Sequence, residues 1–255
     1  MTSDKTIKVE WDYTSLADAY LMRPNYSDTA IDAMLKVMEL EGSVKACDVG
    51  AGVAHLTLKL AAKNMIVTAI EPNDAMRENG INRTKNLDHV AWFTGTGEQT
   101  GQEAQSFDLV TFGSSFNVCD RQAALIETSR ILKPKGWFAC MWNHRQLDDP
   151  IQSGIEDIIK SIVPEYGYGV RREDQRKVIE QSNLFDPVVH LDAKVNHQQS
   201  VAECVEAWLS HATLQRQSGE MFGSVVDKIE EYLNTWNKEE IQIPYSTNIW
   251  LARLK

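Results

Sequence analysis

Five short apolar runs, separated by segments with helical periodicity, constrain this chain more than any other feature. They are Val44–Val49 (VKACDV), Met65–Ile70 (MIVTAI), His89–Phe93 (HVAWF), Phe107–Phe112 (FDLVTF) and Gly136–Trp142 (GWFACMW). Runs that are apolar nearly throughout suit strands buried on both faces, as in a parallel sheet covered by helices. The connections include the leucine- and alanine-rich Val53–Ala62 and the periodic Arg121–Leu132, which Asp120 caps and Lys133-Pro134 stops. This alternation predicts a doubly wound α/β fold.

After Asn143 the texture changes. Pro150 opens a helix over Asp149–Val163, and Arg171–Ser182 reads as a charged amphipathic helix. A strand near Pro187–Leu191 follows, then helices over Val201–His211 and Val225–Trp236, and an alternating edge strand in Ser246–Leu254. The expected fold is a mostly parallel, Rossmann-like sheet of seven strands with an antiparallel last strand and a helical cap. Residues 1–255 form one domain on this reading. Its core takes about 30–143 plus 183–195 and 243–255, beneath an N-terminal cover over 1–29 and a cap over about 144–182 and 196–242.

Composition narrows the partners. Hydrophobic residues make up 43% of the 255, enough for a core and too many for a disordered chain. Lys and Arg number 26 against 36 Asp and Glu, a net charge of -10 that repels nucleic acid and anionic membranes. Cys47, Cys119, Cys140 and Cys204 are scattered without zinc spacing, so neither a metal site nor a disulfide framework is expected. The N-terminal MTSDKTIKVEWDY has no apolar core, so the chain reads as cytoplasmic, a monomer or homodimer.

The chemistry concentrates in Asp48-Val49-Gly50-Ala51-Gly52-Val53-Ala54-His55, directly after the first strand. A glycine-rich turn there lets a ligand approach backbone N–H groups. The dinucleotide pattern G-x-G-x-x-G is broken, because His55 holds its third glycine position. The pattern acidic-x-Gly-x-Gly-x-Gly is met at three of four places. Ala54 takes the last and opposes a positive φ there. Glu71 follows the second strand, where a carboxylate can take both ribose hydroxyls of a nucleoside.

Five further motifs occur in order: Glu71-Pro72-Asn73 with Met76; Gly95–Gly101 (GTGEQTG); Ser106–Thr111; Arg130–Trp137; and Trp142-Asn143-His144-Arg145. With them, the whole chain resembles the class I S-adenosylmethionine-dependent methyltransferases of the small-molecule type. The N-terminal Tyr20–Tyr26 and the terminal PYSTNIW are similar to the same subgroup. The resemblance implies that Gly50, Ala51 and Gly52 line the methionine part of the cofactor, Arg23 pairs with its carboxylate, and Glu71 holds the ribose. It also implies that Asn73 and Met76 flank the adenine and that Thr96, Gly97 and Glu98 close its other side, with Tyr20, Asp48, Pro72 and Ser114 completing the surround. Thr96 stands where many relatives carry Asp.

The substrate pocket is expected from Tyr13, Phe116, Asn117, Asn143 and His211, with His144 as candidate base. The subgroup's usual FHWFD is here Phe116-Asn117-Val118-Cys119-Asp120, which breaks any borrowed substrate assignment. Arg171, Arg172, Arg176 and Lys177 suit an anionic acceptor, but Glu173 and Asp174 among them make a solvated helix face the better expectation. Methyl transfer from a sulfonium mainly needs orientation and dryness. The expected reaction is O-methylation of a small molecule, at a carboxylate or hydroxyl. The alternatives are N-methylation of a small amine or amino-sugar, an NAD(P)-binding oxidoreductase, and a module that binds cofactor without turnover. Ser114-Ser115-Phe116-Asn117 lacks the D/N-P-P-Y/F pattern used on flipped bases.

Overall fold

The computed structural model describes residues 13–255. The first twelve residues of the expected N-terminal cover therefore lie outside the described residues. The five apolar runs become β1 (Lys45–Val49), β2 (Ile66–Ile70), β3 (Val90–Phe93), β4 (Phe107–Gly113) and β5 (Leu132–Arg145). Together with β6 (Val189–Ser200) and β7 (Glu240–Arg253) they make one sheet in the order β3-β2-β1-β4-β5-β7-β6. The first five are mutually parallel, and β7 runs antiparallel to both its neighbours. The strand order reverses between β1 and β4, so the loops leaving their carboxyl ends diverge and open a crevice.

Helices α1 (Asp28–Met38) and α2 (His55–Ala61) bury Ile31, Met34, Leu56 and Leu60 against one face of the sheet. Helix α3 (Asp74–Thr84) packs on β3, where Trp92 fills the space above Gly80. Helix α4 (Arg121–Ile131) covers the opposite face through Leu125 and Ile131. Asp120 caps it as expected, its carboxylate accepting from Gln122 N and Ala123 N at 3.1 Å. Beyond β5, α5 (Pro150–Ile162) begins at the Asp149 cap. With α7 (Val201–Leu209), α8 (Ala212–Ser218) and α9 (Phe222–Asn234) it builds a separate core around Trp208, Leu214 and Ile229. That core rests on Ile241, Ile243 and Tyr245, the end of β7 that runs beyond β5 alongside β6.

Two expectations are corrected. The terminal strand is not an edge: β7 lies between β5 and β6, and Ile249, Trp250, Leu251 and Ala252 are all buried. The edge belongs to β6, which extends nine residues past Leu191. It turns His190, Asp192, Lys194, Asn196 and Gln198 to solvent, as a protected edge requires. The helix expected over Arg171–Ser182 is broken in two. A 3-10 turn spans Gly169–Arg172, and α6 (Arg176–Gln181) begins after Glu173 and Asp174. The break occurs because the two halves serve different places. Ile179 of α6 joins the sheet core beside α4, while Arg171 and Arg172 turn into the crevice.

Candidate functional site

A cavity of about 650 Å³ opens at the carboxyl ends of β1, β2, β4 and β5, roofed by Tyr13, Tyr20 and Arg23. Its floor is the β1–α2 turn. Gly50 N and Ala51 N both donate to Ile70 O, at 2.8 and 3.0 Å, which ties the turn to the end of β2. Gly50 and Gly52 have φ of 66° and 55°. Ala54 also adopts a left-handed φ of 74°, so the alanine does not prevent the conformation its neighbours require; it carries a cost of about 1–2 kcal/mol.

Glu71 stands against this turn at the end of β2. Its Oε2 accepts from Gly52 N at 2.8 Å and its Oε1 from Asn73 N at 2.9 Å. Burial pushes its carboxyl above the ordinary range, and the two backbone donors oppose that shift. Asn73 caps α3 by accepting from Met76 N, which sets Met76 beside Gly52. On the far wall Glu98 accepts from Asp120 N at 2.7 Å, and Thr96 Oγ1 accepts from Gln99 N at 3.2 Å. Ser114, with φ of 60°, stands 3.0 Å from the Tyr26 hydroxyl.

A family model for a methyltransferase domain matches residues 47–140, the segment that holds the turn, Glu71 and this far wall. The demethylmenaquinone methyltransferase of Staphylococcus haemolyticus is 27% identical over 157 residues, 60% of this chain and 66% of that protein. An uncharacterised methyltransferase of Mycobacterium tuberculosis is 30% identical over 123 residues, 48% of each chain. Residues 47–140 thus match a methyltransferase domain. Solved structures share the fold. YcgJ of Bacillus subtilis superposes with a TM-score of 0.55 at 17% identity, covering 90% of this chain and 99% of that one. Phosphoethanolamine N-methyltransferase 2 of Haemonchus contortus, solved with S-adenosyl-L-methionine, gives 0.54 at 14% identity over 97% and 58%. The [4+2]-cyclase SpnF gives 0.54 at 17% over 89% and 80%, so the fold alone does not set the reaction.

Every residue that the resemblance places around the cofactor lines this cavity. Asp48 does so from a locked position. Its carboxylate accepts from Thr57 Oγ1 at 2.7 Å and Thr111 Oγ1 at 3.0 Å, and it is fully buried. It braces the turn between α2 and β4. Burial pushes its carboxyl up to about 6, against the pull of the two hydroxyls. As pH rises from about 4 towards about 6, the unfolded chain therefore ionises first, and stability falls by on the order of 3 kcal/mol. Asp48→Asn is expected to lack this decline. Urea denaturation at about pH 4 and about pH 7 checks it, and parallel profiles for the two proteins would refute the assignment.

The acceptor half departs further from expectation. Tyr13, Asn117 and Asn143 line the cavity, but Phe116 and His211 do not. Phe116 is packed between Phe112 and Phe138, because the 3-10 turn Phe116–Val118 rolls it into the sheet core. His211 is fully buried, stacked 5.1 Å from Trp208, and its Nδ1 accepts from Leu214 N to cap α8. His144 reaches the cavity wall with both ring nitrogens occupied. Nε2 is 2.9 Å from Arg171 O and Nδ1 is 3.3 Å from Asn248 Nδ2. Burial lowers its pKa to about 4, so it is neutral and has no lone pair free for a substrate. That arrangement corrects His144 from base to brace.

Several cavity residues had no role assigned from sequence: Arg145, Tyr168, Thr213 and Tyr245. A signal was present. Two separate motifs face each other in the β5–β7 register, which pairs Asn143 with Thr247, His144 with Ser246 and Arg145 with Tyr245. Arg171 and Arg172 also line the cavity, whereas Arg176 faces outward and pairs with Asp174. The solvated face expected for all four cations holds only for the outer part.

Proposed function

We propose that this chain transfers the methyl group of S-adenosylmethionine to an oxygen of a small-molecule acceptor. The observation that carries it is Glu71, a buried carboxylate anchored by Gly52 N and Asn73 N across from the left-handed glycine turn. The anchored oxygens retain lone pairs for the two ribose hydroxyls. The donor set fits the rest of the cofactor: Arg23 for its carboxylate, the Tyr13 and Tyr20 faces for its cationic sulfur, and Asn73, Met76 and Thr96–Glu98 around its base. When bound, the cofactor supplies a methyl group activated by the positive charge on sulfur. The chain's own residues hold the acceptor in line and exclude water.

Oxygen is preferred to nitrogen because among the described residues no imidazole with a free nitrogen faces the cavity. A carboxylate arrives already ionised and needs no base. A protonated amine would meet several arginines. An NAD(P)-dependent reaction is disfavoured by His55, whose ring sits 3.0 Å from Tyr20 O and 3.2 Å from the Asn25 side chain where the third glycine would be. No helix among the described residues is long and apolar enough to cross a membrane, and the proposed setting is the cytoplasm, as monomer or homodimer. Calorimetric titration with S-adenosylmethionine and S-adenosylhomocysteine tests the reading. Micromolar binding of both is expected, and no heat with either ligand overturns it.

A further inference from the structure

Arg23, Arg145, Arg171 and Arg172 all line the cavity, and no Asp or Glu among the described residues lies within ion-pair distance of any of them. The chain has ten more acidic than basic charges, so this is no shortage of carboxylates. Neutral groups hold the four instead. Arg23 donates to Ser210 Oγ and Ser210 O, both at 2.7 Å. The Arg172 guanidinium lies 4.2 Å from the Tyr168 ring centre and donates to Arg145 O at 3.0 Å. Arg171 lies 5.5 Å from the same ring; its Nη2 stands 3.2 Å from His211 Nε2, which carries the ring proton because Nδ1 accepts from Leu214 N, so the two do not hydrogen-bond. Arg145 is clasped between Trp208 at 3.9 Å and Tyr245 at 5.7 Å, and its buried Nε has no hydrogen-bond partner.

Bringing cations together away from water is costly unless an anion joins them. The cost is visible in Arg171, whose pKa burial lowers to about 10, with Arg23 and Arg145 adding to the depression. A guanidinium fork matches a carboxylate or phosphate, and aromatic rings hold it flat for that contact. Neither glycine turn nor Glu71 explains the three arginines beyond Arg23, which stand on β5 and the 169–172 turn.

We propose that the methyl acceptor is an organic anion whose carboxylate or phosphate group docks on Arg145, Arg171 and Arg172, the counter-ion that the fold itself does not provide. This rests on the methyltransferase reading of the same cavity and adds the acceptor's chemical class. The cofactor and the acceptor share about 650 Å³, so the acid is compact.

The test uses the full chain saturated with S-adenosylhomocysteine. Citrate, succinate and glycerol 3-phosphate are titrated by calorimetry, beside trimethyl citrate, dimethyl succinate and glycerol as their uncharged counterparts. At least one acid is expected to bind about ten-fold or more tightly than its counterpart. Arg171→Gln and Arg172→Gln should each weaken it by about 10–100-fold, the effect of losing one charged hydrogen-bonding partner. Affinity for S-adenosylhomocysteine should stay the same in both variants, which also shows that they are folded. Preference for citrate or succinate identifies a carboxylate, and preference for glycerol 3-phosphate a phosphate. Acids that bind no better than their counterparts, or equally well to both variants, overturn the proposal. Failure of S-adenosylhomocysteine to bind the parent chain overturns the methyltransferase reading instead.

Discussion

Gly50→Ala is expected to lower stability by about 2–5 kcal/mol and to reduce S-adenosylhomocysteine affinity at least about 100-fold. Two costs add. The residue sits at φ 66°, where a Cβ costs about 1–2 kcal/mol. The new Cβ would also overlap Ser115 Cβ and stand 2.8 Å from its Oγ, an overpacking worth about 1–3 kcal/mol. Ser115 cannot easily withdraw, because its hydroxyl donates to Val49 O at 2.5 Å and its backbone begins the 3-10 turn after β4. The loops that follow β1 and β4 would have to separate. Gly52→Ala is the control: it has a similar φ, but its nearest neighbour is the flexible end of Met76 at 3.3 Å. Thermal unfolding should show Gly50→Ala falling by about 4–20 °C and Gly52→Ala by clearly less. Equal melting temperatures would remove the loop-contact argument.

Glu71→Ala should weaken S-adenosylhomocysteine binding by about 1–3 kcal/mol, roughly 5- to 150-fold, through loss of a charged acceptor. Its effect on the empty protein separates two roles. The side chain satisfies Gly52 N and Asn73 N, so alanine leaves two donors without their carboxylate and loosens both the turn and the start of α3. A stability loss of about 1–3 kcal/mol is therefore expected in the absence of ligand. Calorimetry and urea unfolding on the same variant measure the two quantities. Wild-type affinity would refute the ribose assignment even if stability fell.

The glycine turn and its facing acid were legible because their constraints are local. A glycine turn, an acidic residue at a strand end and a capping Asn73 lie in contiguous segments, and each carries its geometry in its residue type. The family resemblance extended the expectation to Thr96, Gly97 and Glu98, which line the same cavity. The rest of the cavity was read less well, since its walls come from distant stretches. Phe116 and His211 carry plausible site chemistry in sequence, and only packing shows that one fills the sheet core and the other is buried against Trp208 as the cap of α8. His144 illustrates the same limit: it lies within the end of β5, paired with Ser246, and the partners that occupy its ring lie at 171 and 248.

The sequence by itself determined the parallel sheet, the position of the glycine turn and the acid that faces it, because periodicity and backbone preference act over a few residues. The tertiary structure alone decided the place of the last strand and the fate of the Arg171–Ser182 segment. Whether alternation marks an edge depends on the length of β6, which covers β7. Whether a row of charges is a solvated face depends on where the chain breaks. Here it breaks at Glu173 and Asp174, leaving Arg176 in solvent and turning Arg171 and Arg172 into the cavity beside Arg145.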